Sequence, residues 1–175
     1  MKENMAIRQI RQMSDIKYMD DMKPMRDIKI SPMTLDHMED IMVVENLSFS
    51  IPWSKAAFIE EITKNSFAYY YAAIINCKAI GYGGMWQVFD EGHITNIAVH
   101  PEFREIGVGS RILEYMIEGA IKKGINKMTL EVRKSNESAI KLYQKYGFVN
   151  EGIRKSYYAD NGEDAIIMWK HDMSY

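Results

Sequence analysis

Cysteine is nearly missing from this 175-residue chain, and the single Cys77 excludes an internal disulfide and any multi-cysteine zinc site. Its scarcity points to a reducing compartment, and Asn76-Cys77-Lys78 reads as a hairpin turn rather than a reactive centre. Histidine is sparse too. His37, His93, His100 and His171 are scattered without metal-ligand spacing, so no metal is expected. No apolar run approaches the ~20 residues of a membrane span, and the first residues lack the compact apolar stretch of a signal peptide, which predicts a cytoplasmic protein. Neither charge is in excess. The formal net charge is -2, so nothing in the total points to nucleic acid, although a local basic patch stays open. Repeats and low-complexity tracts are absent.

What is present is an ordinary globular composition, 47% hydrophobic and 26% charged, at a length that suits one domain with a sizeable core. Residues 1–26 stand apart. Met1, Met5, Met13, Met19, Met22 and Met25 alternate there with Arg8, Arg11, Asp15, Lys17, Asp20, Asp21 and Lys23, which reads as an extension outside the core, an upstream start codon, or a short partner-binding helix. The apolar face is too weak for a membrane anchor. Residues 27–175 form the expected domain.

Within it, Ile28 to Ser31 reads as a short strand, and Pro32 and Thr34 introduce a helix with Leu35, Met38, Ile41, Met42 and Leu47 at helical spacing. Ser48 to Ser54 breaks that helix, and Ser54 caps a second one carrying Ala57, Phe58, Glu61 and Ile62. Phe67 to Ile75 and Ala79 to Val88 read as a hairpin, and Gly92 to Val99 as a third strand. Gly107 to about Lys123 is helical, with Ile112, Leu113, Met116, Ile117, Ala120 and Ile121 as its buried stripe. A strand over Lys127 to Arg133, a helix over Asn136 to Tyr146 closed by Gly147, and a hairpin of Phe148 to Tyr158 with Asp164 to Lys170 complete the order. The sequence predicts an α/β (α+β) domain, β-α-α-β-β-β-α-β-α-β-β, with a mixed sheet flanked by helices.

The strand-to-helix junction at Arg104-Glu105-Ile106-Gly107-Val108-Gly109 carries the first chemical signal. The leading amides of a helix lack intrahelical partners and carry the positive end of its dipole, so they receive anions. Glycine at 107 and 109 leaves room for a phosphate against the backbone. An ordinary glycine-rich turn has the same composition. The spacing matches neither a Walker loop nor a dinucleotide fingerprint.

Downstream, Glu131 lies mid-strand on the face opposite Met128, Leu130 and Val132, where it meets either solvent or a cleft. Asn136 and Tyr143 fall two turns apart on one helix stripe. Each has a plain structural reading, an N-cap and a core aromatic. Together with Glu131 they make a coherent site: a carboxylate to accept a proton, a phenol to give one, and an amide to hold a ligand.

Arg104-x-x-Gly107-x-Gly109 resembles the R/Q-x-x-G-x-G/A signature of the GNAT superfamily of N-acetyltransferases, and the resemblance runs from about Asp27 to Lys170. Phe49 to Ser54, Asn96 to Val99, Leu130 to Asn136, Ala139 to Phe148, and Tyr157-Tyr158 with Asp164 to Met168 are similar to the RimI-type ribosomal-protein-alanine N-acetyltransferases. The resemblance implies a GNAT fold and acetyl-CoA as co-substrate. It places the pantetheine along Ile97, Ala98 and Val99 and the pyrophosphate on amides of Glu105, Ile106, Gly107, Val108, Gly109 and Ser110, after Arg104. It also implies Glu131 as general base, Tyr143 as general acid and Asn136 as a cofactor contact. The implied acceptor is a protein N-terminus, in RimI enzymes the N-terminal alanine of small-subunit ribosomal protein eighteen.

Acceptor recognition rests on weaker signals. Pro52 and Trp53, with Tyr157 and Tyr158, could flank the mouth of a cleft and grip a peptide, or simply pack. Glu45 could recognise the ammonium or a second residue, or be a solvated helix-face carboxylate. The same scaffold would also acetylate a small-molecule amine or a lysine. A non-catalytic acetyl-CoA-binding module, with the Met-rich segment as docking arm, is disfavoured by the presence of both Glu131 and Tyr143. The oligomeric state is not legible.

Overall fold

The computed structural model describes residues 28–173, so the Met-rich segment lies outside the described residues. Among the described residues, seven strands and four α-helices follow the expected order. These are β1 (Lys29–Pro32), α1 (Met38–Ser48), α2 (Lys55–Lys64), β2 (Ala68–Ile75), β3 (Lys78–Val88), β4 (Glu91–Val99), α3 (Val108–Lys122), β5 (Lys127–Arg133), α4 (Glu137–Lys145), β6 (Val149–Tyr158) and β7 (Glu163–Lys170). Among the described residues no helix is long and apolar enough to cross a membrane.

The seven strands form one sheet in the order β1-β2-β3-β4-β5-β7-β6, antiparallel throughout except between β4 and β5. Side chains alternate across it, because successive residues of a strand point to opposite faces. On β2, Tyr70 and Ala72 pack with Met38, Ile41, Val44 and Phe58 of α1 and α2. Tyr71 and Ala73 instead join the larger core with Ile112, Leu113, Met116 and Ile117 of α3 and Tyr143 of α4. Each buried Val, Leu, Ile, Phe or Met side chain contributes about 1.5–3 kcal/mol, so the two cores clamp the sheet between the helix pairs.

Local chemistry sets the element ends. The β2–β3 hairpin closes through Asn76 and Cys77, both at positive φ (47° and 63°), the geometry of a two-residue primed turn. Ser54 Oγ accepts from the Ala57 amide at 3.1 Å, and Asn136 Oδ1 accepts from the Ala139 amide at 3.2 Å. Each cap stabilises its helix by about 1 kcal/mol.

The stripe expected on α1 is corrected. Leu35 lies in a separate 3-10 turn (Leu35–His37) and is 50% exposed, Leu47 is 52% exposed, and the buried residues are Met38, Ile41, Val44 and Glu45. The tighter turn puts Leu35 out of phase with the helix that follows, and Leu47, at 3.6 residues per turn, falls on the face opposite Met38.

The β4–β5 seam opens the fold. Their pairing covers only Glu91, Gly92 and His93 against Lys127, Met128 and Thr129. On the β3 side, Gly84 pairs with Asn96 and Met85 with Ile94, so Thr95 is an extra residue, a bulge that bends β4 away. From Ile94 onward β4 and β5 diverge into a cleft.

Candidate active site

Two cavities occupy this cleft, one of about 380 Å³ and one of about 500 Å³. Ser48, Phe49, Ile97, Asn136, Ala139 and Tyr143 line both. The two spaces are therefore halves of one passage meeting at α4.

The larger half is built around the start of α3. Gly107, at φ 87°, turns the chain into the helix, and no side chain caps it. The first intrahelical bond runs from the Arg111 amide to the Gly107 carbonyl at 3.1 Å, leaving the amides of Val108, Gly109 and Ser110 without helical partners. A Cβ added at Gly109 would meet only Leu142 at 3.4 Å and Val99 at 3.9 Å, ordinary contacts, so packing does not require glycine there. The open space lies in the cavity, which suits an anionic ligand lying on the amides. Arg104, Glu105, Gly107, Val108, Gly109, Ser110, Ile97, Ala98 and Val99 all line this half. Ile106 does not, because its side chain packs against the apolar core. Arg104 Nε donates to the Val99 carbonyl at 3.0 Å and a terminal nitrogen to Ser48 Oγ at 3.4 Å, so it ties β4 to the end of α1.

The smaller half gathers Glu45, Trp53, Glu131, Tyr157 and Tyr158 with Asn136 and Tyr143. Pro52 is exposed and lines neither half; its neighbours Ile51 and Trp53 form the wall instead. Glu131 faces the cleft rather than open solvent, with Oε1 3.0 Å from Arg154 Nε. Tyr143 is 8% exposed and its ring packs against Phe148 at 5.8 Å. Burial holds its phenol well above the ordinary tyrosine range, and its hydroxyl has no hydrogen-bond partner among the described residues. Such a group stays protonated at neutral pH and is free to donate.

Glu45 contradicts the solvated reading. It is 1% exposed, and its Oε1 accepts from the Trp53 amide at 2.8 Å while Oε2 accepts from the Tyr82 hydroxyl. Burial raises the affinity of this carboxylate for a proton despite those two bonds.

The rim carries residues that sequence reasoning missed. One terminal nitrogen of Arg133 donates to both carboxylate oxygens of Asp160 at 2.8 and 2.9 Å, the other donates to Glu163 at 3.2 Å, and the guanidinium lies 3.8 Å from the Tyr158 ring centre. Ser50 donates to Asp160 from the opposite wall. Burial raises the Tyr158 phenol to about 12 although Arg133 opposes it. The Ser50 and Asp160 pairing joins residues far apart in the chain, and no local pattern announces it. Asn96, also on the wall, heads the Asn96 to Val99 motif, which is the signal that finds it.

Residues 38–148 match the acetyltransferase (GNAT) family. A Bacillus subtilis protein described as a putative ribosomal protein bS18-alanine N-acetyltransferase is 41% identical over 137 residues, 78% of this chain and 91% of that protein. The ribosomal protein bS18-alanine N-acetyltransferase of Escherichia coli K12 is 35% identical over 127 residues, 71% of this chain and 84% of that one. The crystal structure of the ribosomal-protein-S18-alanine N-acetyltransferase from Escherichia coli superposes with a TM-score of 0.75 at 32% identity, covering 85% of this chain and 96% of that chain. A GNAT acetyltransferase from Elizabethkingia anophelis with acetyl-CoA bound reaches 0.68 at 26% identity, covering 83% and 98%.

Proposed function

The chain belongs to the GNAT family of acetyltransferases, and we propose that it transfers acetyl from acetyl-CoA to the N-terminal α-amine of a protein, the N-terminal alanine of a small-subunit ribosomal protein. The observation that carries this reading is the continuous passage. Uncapped helix amides lie in one half and a carboxylate in the other, with Tyr143 lining both. The relatives' described acceptor, a ribosomal protein alanine, supports the choice of amine.

Acetyl-CoA supplies an activated acyl thioester when bound, its pyrophosphate on the amides from Glu105 to Ser110 and its pantetheine beside Ile97, Ala98 and Val99. Beyond His93 the β4 edge that faced β5 has no ladder partner among the described residues, so its backbone groups, apart from the Val99 carbonyl held by Arg104, are available to that arm. An α-amine has a pKa of about 7.7–8.0 and is largely protonated at neutral pH. Glu131, directly or through water, takes the proton, and the neutral nitrogen attacks the thioester carbon. A backbone N–H near Ala98 or Val99 polarises the carbonyl oxygen. Tyr143 then protonates the departing thiolate. No covalent enzyme intermediate is needed, and each proton transfer accelerates the reaction by about 10² to 10⁴.

The test is mass analysis of peptides beginning with Ala, Ser, Met or a blocked residue, incubated with the protein and acetyl-CoA. Addition of 42 Da, roughly one acetyl group, to the free-terminus peptides alone is expected. Acetylation of blocked peptides at lysine would reject the α-amine assignment, and no turnover of any amine would favour a binding module.

A further inference from the structure

Glu45 is the one charged side chain buried in the core among the described residues, and the reaction above makes no use of it. Burying a carboxylate is costly, and a well-packed apolar side chain of the same volume serves stability as well or better. Its placement is what distinguishes it. Glu45 sits on α1, yet its two oxygens bind the Trp53 amide, in the loop that walls the acceptor half, and the Tyr82 hydroxyl on β3. The Tyr82 hydroxyl in turn accepts from Asn96 Nδ2 at 2.8 Å, and Asn96 Oδ1 accepts from Thr95 Oγ1 at 2.8 Å. An unbroken hydrogen-bonded chain thus runs from the acceptor wall to the β4 bulge at Thr95, two residues before Ile97.

We propose that Glu45 is a positioning residue that fixes the acceptor-wall loop, through Trp53, to the bulged donor strand, through Tyr82 and Asn96, without touching the acceptor ammonium. The proposal rests on the reading that the smaller half of the cleft receives the acceptor amine. Both carboxylate oxygens already accept from protein donors and the side chain is 1% exposed, so an incoming ammonium finds little of the carboxylate within reach. A direct ammonium contact would need the negative charge. A tether needs an oxygen that accepts from the Trp53 amide and a polar group that meets the Tyr82 hydroxyl, and glutamine supplies both, its NH2 donating to the hydroxyl oxygen.

Steady-state kinetics with an Ala-initiated peptide and acetyl-CoA, on wild type, Glu45→Gln and Glu45→Ala, separate the two roles. Glu45→Ala is expected to raise the peptide KM about tenfold, the equilibrium value of one hydrogen bond to a charged group, with kcat and acetyl-CoA KM within about twofold. Glu45→Gln restores most of the peptide KM. Hydrogen exchange at the Trp53 amide accelerates in Glu45→Ala and returns toward wild type in Glu45→Gln. If the alanine variant does not fold, Glu45→Met fills the volume without an acceptor atom and takes its place. Equal damage from Gln and Ala would overturn the proposal in favour of direct charge recognition. An unchanged peptide KM, with only the melting temperature lowered, would overturn it in favour of a purely structural role. Failure of the wild type itself to acetylate the peptide would remove the underlying reading and the proposal with it, and it is recognisable before any substitution is made.

Discussion

Replacing Tyr143 by phenylalanine separates chemistry from architecture, because its hydroxyl has no hydrogen-bond partner among the described residues. The ring packs against Phe148 and the core of α3, and those contacts survive the substitution. With no protein hydrogen bond to lose, the stability change is expected within about 0.5 kcal/mol, typical of a substitution that disturbs no packed or polar partner. For a chain of this size that is a melting shift of less than about 2 °C. Acetyl-CoA affinity is expected to change less than about twofold, since the bulk of the donor half is untouched. Turnover is another matter. Loss of a positioned general acid lowers the chemical step by about 10² to 10⁴, which is about 2.7 to 5.4 kcal/mol of transition-state stabilisation. The assay is release of free CoA thiol. The exposed Cys77 would react with the same thiol reagent, so a Cys77→Ser background is the proper reference. Single-turnover quenching isolates the acyl transfer from product release. Single-turnover rates within about twofold of the reference would remove Tyr143 from the mechanism, and a melting loss of more than about 5 °C would show that the hydroxyl has a structural partner after all.

Other consequences follow from the glycine turn and the rim. Gly107 adopts φ 87°, so Gly107→Ala is expected to destabilise by roughly 1–2 kcal/mol, read as a drop of about 2–8 °C in melting temperature. Gly109→Ala meets only ordinary contacts and is expected to hold or raise stability, by up to about 1 kcal/mol, while Gly109→Val intrudes on the cavity and weakens acetyl-CoA binding at least about tenfold by calorimetry. Hydrogen bonds from Ser135 and the Arg133 guanidinium lower the Glu163 carboxyl to about 2. A depressed folded-state value means that its stabilisation is present above the ordinary glutamate pKa of about 4.3 and is lost as the pH falls toward the folded value. Acid unfolding followed by circular dichroism should therefore be shallower in Glu163→Gln than in wild type between about pH 4 and 2.

The order of elements was legible because periodicity and punctuation agreed: Ser54 and Asn136 cap the helices they precede, and Asn76-Cys77 turns the hairpin. The phase of α1 was not, since nothing in Thr34 to Met38 announces a 3-10 turn that rotates Leu35 outward, and Glu45, though spaced to share the face of Met38 and Ile41, is not apolar. Hydrophobic patterning places a glutamate on the surface by default, and only a tertiary donor such as Tyr82 reverses that. The candidate site divides the same way. Arg104 to Gly109 are contiguous and Glu131, Asn136 and Tyr143 fall on one strand and the helix after it, so they can be read as motifs. The cleft itself depends on the Thr95 bulge and on the early parting of β4 from β5, and the rim depends on Arg133 reaching Asp160; these are contacts between distant segments with no local signature. Pro52 marks the limit of motif reading, for it stands between the wall residues Ile51 and Trp53 and lines neither half, while Ile106 packs against the core and enters the reading through its backbone amide alone.

The most direct measurement is fragment-mass localisation of the acetyl group on one peptide that carries both a free N-terminal alanine and an internal lysine, with wild type and Glu131→Gln compared at saturating acetyl-CoA. Acetyl on the α-nitrogen alone, formed about 10² or more times slower by Glu131→Gln, is the expected result. Acetyl on the lysine Nε, or an undiminished rate in Glu131→Gln, would contradict the assignment of an α-amine acceptor deprotonated by Glu131.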